Sequence, residues 1–333
     1  MKKGKKMQNN NSIKVSVIVP LYNEERFVKG LIDSLSSQTF PREQMEWILV
    51  DGLSTDKTVE LINQNKQDLP LVLLTNEKRK ACYALNMAID CAKGEYIIRM
   101  DAHASFPPDY IEKCVHYLDT MQDVDNVGGV ADTKAEGFIG GTISQMLSTK
   151  FGVGGSSFRV GDGNKYVDTV PFGAFRRSVF QKVGNFNVKL TRSEDNDMNA
   201  RIRESGGKIW LAEDIKFNYY CRDTVGGLLK MGLSNGNALF RTLKENPKAM
   251  SLRHFIPFFF LMSLVVLSVS AIFLPFVWCA LVVEVGLYTL LNVYFSFIKC
   301  GFKQGFIAIW LYPLFHLTYG LGSLLGLFGV EFY

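Results

Sequence analysis

The chain has 333 residues and a formal net charge of +5, with 37 Lys and Arg against 32 Asp and Glu. So mild a bias is not the electrostatic footprint of a nucleic-acid partner, and none is expected. The cysteines Cys82, Cys91, Cys114, Cys221, Cys279 and Cys300 form no CxxC pair and no zinc spacing, which fits free thiols in a reducing compartment.

The opening MKKGKKMQNNN is basic and polar, with no apolar core of the kind a signal peptide needs. Residues 1–12 therefore read as a solvated tail. Val15 to Val19 is a short apolar strand stopped by Pro20, and Phe27, Val28, Leu31, Ile32 and Leu35 follow at helical spacing. WILVDG is a second buried strand ending in Asp51, and Thr55 or Asp56 can cap the helix KTVELINQN after it. LVLLTN is a third strand, and ACYALNMAIDCAKG is a third helix closed by Gly94. GEYIIRMDAH is a fourth strand, running into Asp101.

Strands alternating with helices predict an α/β domain whose mostly parallel, Rossmann-like sheet is covered on both faces. Ligands of such sheets bind beyond the carboxyl ends of the strands. Tyr22, Asp51 and Asp101 lie just past three such ends, so they share one rim. Residues 128–190 are glycine-rich and read as irregular loops, a mobile wall facing the acceptor.

Glu194, Asp195 and Asp197 then precede the helix start MNARIRE, which Gly206 and Gly207 end. Acids at a helix start also favour the helix dipole. The combination says more: strand-end acids, a later acidic cluster, no dinucleotide GxGxxG and no Walker loop. A site without a glycine cradle can still hold a diphosphate through a divalent cation, which neutralises its charge as it leaves.

Beyond residue 253 the composition changes. His254 to Ile298 contains one charged residue, Glu284, and Phe306 to Val330 contains no Asp, Glu, Lys or Arg. A spanning helix needs roughly 20 apolar residues. The first run is long enough for two spans broken at Pro275, and the second makes a third. Residues 226–253 are an amphipathic connector, lying on the membrane surface or packing on the preceding domain. Lys299 and Lys303 lie between the runs. The positive-inside rule then puts Lys299 and the domain of residues 13–225 in the cytoplasm, with Pro275 and Tyr333 outside.

VSVIVPLYNEERFV, ILVDGLSTDKT, ALNMAIDCAKGEYIIRMDAH and SEDNDMNARIRESGGKIWL together resemble the family-two glycosyltransferases of GT-A fold, over about residues 13–225. DAHASF, FGVGGSSFR and DTVPFGAFRRSVF are similar to the membrane-bound bacterial exopolysaccharide enzymes of the succinoglycan type, which add a sugar to a lipid-linked oligosaccharide.

The resemblance implies roles. Pro20, Tyr22 and Glu24 fall where such enzymes contact the nucleotide, Asp51 matches the acid that meets the uracil of a UDP-sugar, and Arg79 or Lys80 lies near the basic donor-site position. Asp101 and His103 fill the two ends of the DxD motif that holds the donor and a Mn²⁺ or Mg²⁺ ion. Glu194 and Asp195 are the ED pair, with Asp195 the general base, and Arg222 is a basic residue near the diphosphate. Implied partners are a nucleotide-sugar, a lipid-linked saccharide, membrane lipids and other polysaccharide-biosynthesis proteins.

Three departures bear on these roles. VDGLSTD lacks a second acid beside Asp51, and no Gln-x-x-Arg-Trp follows the ED pair, which favours single-sugar addition over polymer synthesis. The third is His103 in place of the last DxD acid. Imidazole suits Mn²⁺ better than Mg²⁺, and metal affinity should fall as His103 protonates, at or below the ordinary value of about 6.5. Two alternatives stand beside this reading. One is a polyprenyl-phosphate sugar transferase. The other is a transporter with a nucleotide-binding domain, for which Glu284 would be the intramembrane acid.

Overall fold

The computed structural model describes residues 12–66, 69–161 and 163–330. Most of the expected tail, and Tyr333, lie outside the described residues. The first half of the sheet follows from alternation. β1 (Val15–Leu21) sends Val15, Val17 and Val19 into one core and Ile18 into another. β2 (Met45–Asp51) likewise sends Met45, Trp47 and Leu49 one way and Ile48 and Val50 the other. Both faces are apolar because both are covered. α1 (Val28–Ser36) and α2 (Thr58–Asn65) cover the first face through Leu31, Leu35 and Ile62. After β3 (Leu71–Thr75), α3 (Ala81–Cys91) covers the second through Cys82, Leu85 and Ile89. β4 (Tyr96–Arg99) completes a parallel set in the order β3-β2-β1-β4.

The second half of the sheet is mixed, which corrects the expectation of a mostly parallel one. β5 (Ala104–Ser105), α4 (Tyr110–Thr120), β6 (Val124–Lys134) and α5 (Gly137–Leu147) follow in turn. Next come two short helices, α6 (Lys150–Val153) and α7 (Ser157–Val160), then β7 (Lys165–Tyr166) and β8 (Ala174–Arg176). α8 (Arg177–Val183), α9 (Glu194–Glu204) and β9 (Lys208–Tyr220) complete the domain. β8 runs antiparallel between β4 and β6, β6 pairs parallel with β9, and β5 and β7 join β9 antiparallel.

The glycine-rich stretch taken for irregular loops thus begins inside the long strand β6 and holds seven of its eleven residues. Its glycines answer a packing demand. A Cβ on Gly128 would lie 2.4 Å from Val170 Cβ, and one on Gly129 would lie 2.3 Å from the Ile215 carbonyl oxygen. Glycine inside a strand marks such a close approach.

α10 (Val225–Glu245) leads to α11 (Ile256–Phe273), α12 (Val277–Tyr294) and α13 (Phe302–Leu327). Among the described residues three helical segments, Ile256–Phe273, Val277–Lys299 and Phe302–Leu327, are long and apolar enough to cross a bilayer, as in a multi-pass membrane protein. The first break falls around Pro275. Glu284 faces α11, where Ser263 Oγ donates to it, so this acid joins two neighbouring helices.

α13 differs from the other two. The buried share of its apolar window is 44%, against 11% and 17%. Its partner is α10, which runs lengthwise along it. A Cβ on Gly236 would lie 2.0 Å from the Tyr319 carbonyl oxygen, one on Gly322 2.1 Å from that of Leu233, and one on Gly326 2.4 Å from that of Asn237. Gly232 and Gly236 on α10, and Gly322 and Gly326 on α13, are spaced four apart, the small-residue pattern that lets helix backbones touch. α13 also holds the domain directly. Tyr312 Oη meets Thr149 Oγ1 at 2.8 Å, and His316 Nε2 meets the Phe151 carbonyl oxygen at 3.0 Å.

Candidate active site

Parallel pairing of β1, β2 and β4 brings their carboxyl ends to one edge. Tyr22, Asp51 and Asp101 therefore gather there, as their positions just past the strands imply. Pro20 stays within β1, opposite Val50, and Tyr22 beyond it is exposed. Asp51 is buried and accepts the Ser54 N–H at 3.0 Å and the Ser54 hydroxyl. Gly52 forms a narrow floor: a Cβ there would lie 3.5 Å from the Tyr22 ring and 3.6 Å from Arg79 Cα. Of the two basic candidates, Arg79 thus lies against the Asp51–Gly52 turn. The Lys80 carbonyl is held by Asn76 Nδ2 at the start of α3.

The centre of the site is a residue not singled out in the sequence. Arg99, the last residue of β4, is buried and has its side chain among three acids. Its Nε and Nη2 donate to the two oxygens of Asp101 at 3.1 and 3.2 Å. Nη2 also reaches Glu194 Oε1 at 3.2 Å, and Nη1 reaches Asp195 Oδ1 at 2.8 Å. The guanidinium lies over the Phe172 ring at 5.8 Å. The signal was present: an arginine in a buried strand requires carboxylate partners, because an unpaired charge there is prohibitively costly.

Burial raises the Asp195 carboxyl above the ordinary carboxylate range. The Arg99 charge pulls it down, Glu194 and Asp101 push it back up, and the net direction is up. The third acid of the cluster, Asp197, points elsewhere, to Arg201 at 3.0 Å and to Asn246.

His103 takes its place opposite Glu24, with Nδ1 3.7 Å from Glu24 Oε1 and the ring edge-on to Tyr219 at 5.6 Å. Burial lowers its pKa, but the Glu24 contact and the Asp101 charge outweigh that and raise it. This reverses the expected direction. Arg222, just after β9, is exposed and adds positive charge near His103. Arg192 was not anticipated. It is exposed and donates to Asn235 on α10 at 3.0 Å.

Backbone strain concentrates here. Among the described residues, the non-glycine positions with positive φ are Asn23, Leu53, Arg79, Phe172 and Ser193. Asn23, Leu53 and Arg79 border the Asp51 turn, Phe172 supports Arg99, and Ser193 precedes the ED pair. Such conformations persist where surrounding structure over-determines them, commonly at functional sites.

Among the described residues no three His, Cys, Asp or Glu side chains converge into a metal cage. Asp101 and His103 are near enough for the Asp101 charge to act on the imidazole. Each Asp101 oxygen accepts one bond from Arg99 and keeps a lone pair. One carboxylate and one imidazole suit a cation completed by phosphate oxygens and water.

Residues 16–184 match the model of glycosyl transferase family 2. A Methanococcus voltae dolichyl N-acetyl-α-D-glucosaminyl phosphate 3-β-D-2,3-diacetamido-2,3-dideoxy-β-D-glucuronosyltransferase is 25% identical over 314 residues, covering 88% of this chain and 97% of that one. The succinoglycan biosynthesis protein ExoA of Rhizobium meliloti is 28% identical over 250 residues, or 72% and 73% of the two chains. The fold is that of the mannosyltransferase PcManGT from Pyrobaculum calidifontis, solved with GDP-Man and Mn²⁺, at a TM-score of 0.67 and 19% identity over 96% of this chain and 88% of that one. The paired acids at the strand ends and the matched family model lead to one conclusion: the chain is a glycosyltransferase of family 2, using a nucleotide-sugar donor and carrying a GT-A domain on apolar membrane helices.

Proposed function

We propose that this enzyme is an inverting glycosyltransferase that moves one sugar from a UDP-sugar to a lipid-linked saccharide in exopolysaccharide or capsule synthesis. The observation that carries the reading is the buried cluster in which Arg99 holds Asp101, Glu194 and Asp195 together at the strand ends.

Asp195 is the general base. It takes the proton of an acceptor hydroxyl as that oxygen attacks the anomeric carbon and the bond to the nucleoside diphosphate breaks. Its raised proton affinity suits the task, since a base works best with a pKa near the operating pH. One displacement inverts the anomeric centre and needs no nucleophilic carboxylate. Asp51, with Tyr22 and Arg79 beside it, receives the base of the donor. Arg192 and Arg222 face the diphosphate with positive charge. A divalent cation held by Asp101 and His103 would neutralise the leaving diphosphate. The catalytic domain lies on the cytoplasmic side, as do Lys299 and Lys303 around the start of the last helix.

The test is to incubate membranes containing the protein with a panel of labelled nucleotide sugars and extract the lipid. Label from a UDP-sugar in the lipid fraction, released by mild acid as an oligosaccharide, is the expected result. Release of the label by mild acid as a free monosaccharide would identify the lipid phosphate itself as the acceptor. No label in lipid from any donor would overturn the reading.

A further inference from the structure

Beside the catalytic acids, a cavity of about 530 Å³ opens between the GT-A domain and the membrane helices. One wall is apolar and built by three of those helices: Ile256 and Phe260 of α11, Leu291 of α12 and Phe315 of α13. Another part of the lining carries Lys150, Arg159 and Arg253. Ser193 and Asn196, which bracket Glu194 and Asp195 in sequence, line it too, so the cavity adjoins the base.

The charge and the apolar surface are both in position for a ligand. Arg253 pairs with Asp168 at 2.8 Å, which leaves the cationic lining net positive. Arg159 lies over the Tyr219 ring at 4.9 Å, and the same ring meets His103, so positive charge continues from the donor side into the cavity. Ile256 is 58% exposed and Leu291 50%, so the apolar wall is open to the bilayer. A neutral saccharide has no use for three cations, and a plain hydrocarbon has none either. A free nucleotide has no use for a wall of membrane helices. An anionic amphiphile uses both.

We infer that this cavity holds the lipid end of the acceptor, an isoprenoid or alkyl chain bearing a phosphate or diphosphate. The chain lies along α11 and α12, the phosphates meet Arg159 and Arg253, and the saccharide reaches Asp195. Arginine suits that role because its planar fork matches phosphate oxygens. This assignment rests on the reading of the acceptor as lipid-linked.

The experiment uses the full chain in detergent with labelled farnesyl diphosphate as the probe. Saturating uridine diphosphate is present to fill the donor site. Farnesol and inorganic diphosphate serve as competitors that carry only one half of the chemistry. The expected result is that unlabelled farnesyl diphosphate competes at least about tenfold better than either. Ile256→Trp and Leu291→Trp, at exposed positions of the apolar wall, should each weaken the probe about tenfold and leave uridine diphosphate binding intact. Arg159→Gln and Arg253→Gln should weaken it similarly.

Unchanged probe affinity in the tryptophan variants, or farnesol competing as well as the diphosphate, would overturn the assignment. If the tryptophan variants lose both ligands they have unfolded, and the arginine variants decide: unchanged affinity in both overturns it. Failure of the wild type to bind uridine diphosphate would count against the donor reading alone. The farnesyl diphosphate result would still decide the cavity.

Discussion

Arg99 Nη1 donates to Asp195 Oδ1 at 2.8 Å, and the same guanidinium grips both oxygens of Asp101. One cation thus ties the proposed base to the proposed donor acid. Arg99→Met should leave one buried and two half-buried carboxylates without it and lower stability by about 3–5 kcal/mol, the usual cost of breaking a buried pair. Arg99→Lys keeps the charge but not the fork. It should fold better than the methionine variant and still lose roughly tenfold or more in transfer, because a base displaced by about 1 Å is a poor one. Thermal unfolding in detergent and transfer rates on the same samples check both.

Asp195→Asn keeps the shape and removes the proton acceptor. Transfer should fall by about 10²–10⁴-fold, the typical contribution of a general base, with uridine diphosphate affinity unchanged. Calorimetric binding beside a transfer assay separates the two effects, and near-normal turnover would remove Asp195 from the role.

The pH profile follows from the same cluster. A base acts deprotonated, and burial raises the Asp195 carboxyl. The rate should therefore rise with pH along an acidic limb lying above the ordinary aspartate value of about 3.9. Because Arg99 pulls that carboxyl down, Arg99→Met should move the limb to still higher pH. The stability term has the opposite sign. With its folded value raised, the protonated Asp195 favours the folded state, and that contribution is lost as pH climbs through the folded value. Rate–pH curves for the wild type, Asp195→Asn and Arg99→Met test the limb.

The first hundred residues were legible because two periods, 2 and 3.6, are strong signals and two of the four strands, β2 and β4, ran into a recognisable acid. What was missed depends on partners distant in sequence. Arg99 lies 95 and 96 positions from Glu194 and Asp195, so no local pattern joins them. Gly128 and Gly129 looked like loop residues because glycine reports only a lack of side chain; whether turn or crowding demands it depends on Val170 and Ile215. The antiparallel entry of β8 was hidden for a related reason. Three residues, Ala174–Arg176, carry no alternation long enough to read.

Substitution at the helix–helix seam has a clear expected outcome. Gly236→Ala would place a Cβ 2.0 Å from the Tyr319 carbonyl oxygen. Backbone cannot yield cheaply, so a loss of about 1–3 kcal/mol, typical of overpacking, is expected. Gly226→Ala on the same helix meets nothing within 4 Å and should be neutral or slightly stabilising. Melting curves of the two variants in one detergent make the comparison.

His103 is tested by titrating metal. His103→Ala should raise the cation concentration for half-maximal transfer, and His103→Asp should partly restore it and shift preference from Mn²⁺ toward Mg²⁺. An unchanged metal curve in His103→Ala would make the histidine a neighbour of Glu24 and nothing more.

The seam between α10 and α13 also sets a length. Gly236 and Gly322 bring the two helices into backbone contact, and at the far end of α10 Asn246 donates to Asp197 at 3.0 Å, two residues from the base. A membrane helix and the catalytic helix are thereby joined by one rigid strut with no slack in it. Asp195 is then tied through α10 to α13. With the lipid-linked acceptor proposed above, such a strut would act as a gauge, presenting the base to a sugar at one height and not to a saccharide grown one unit further.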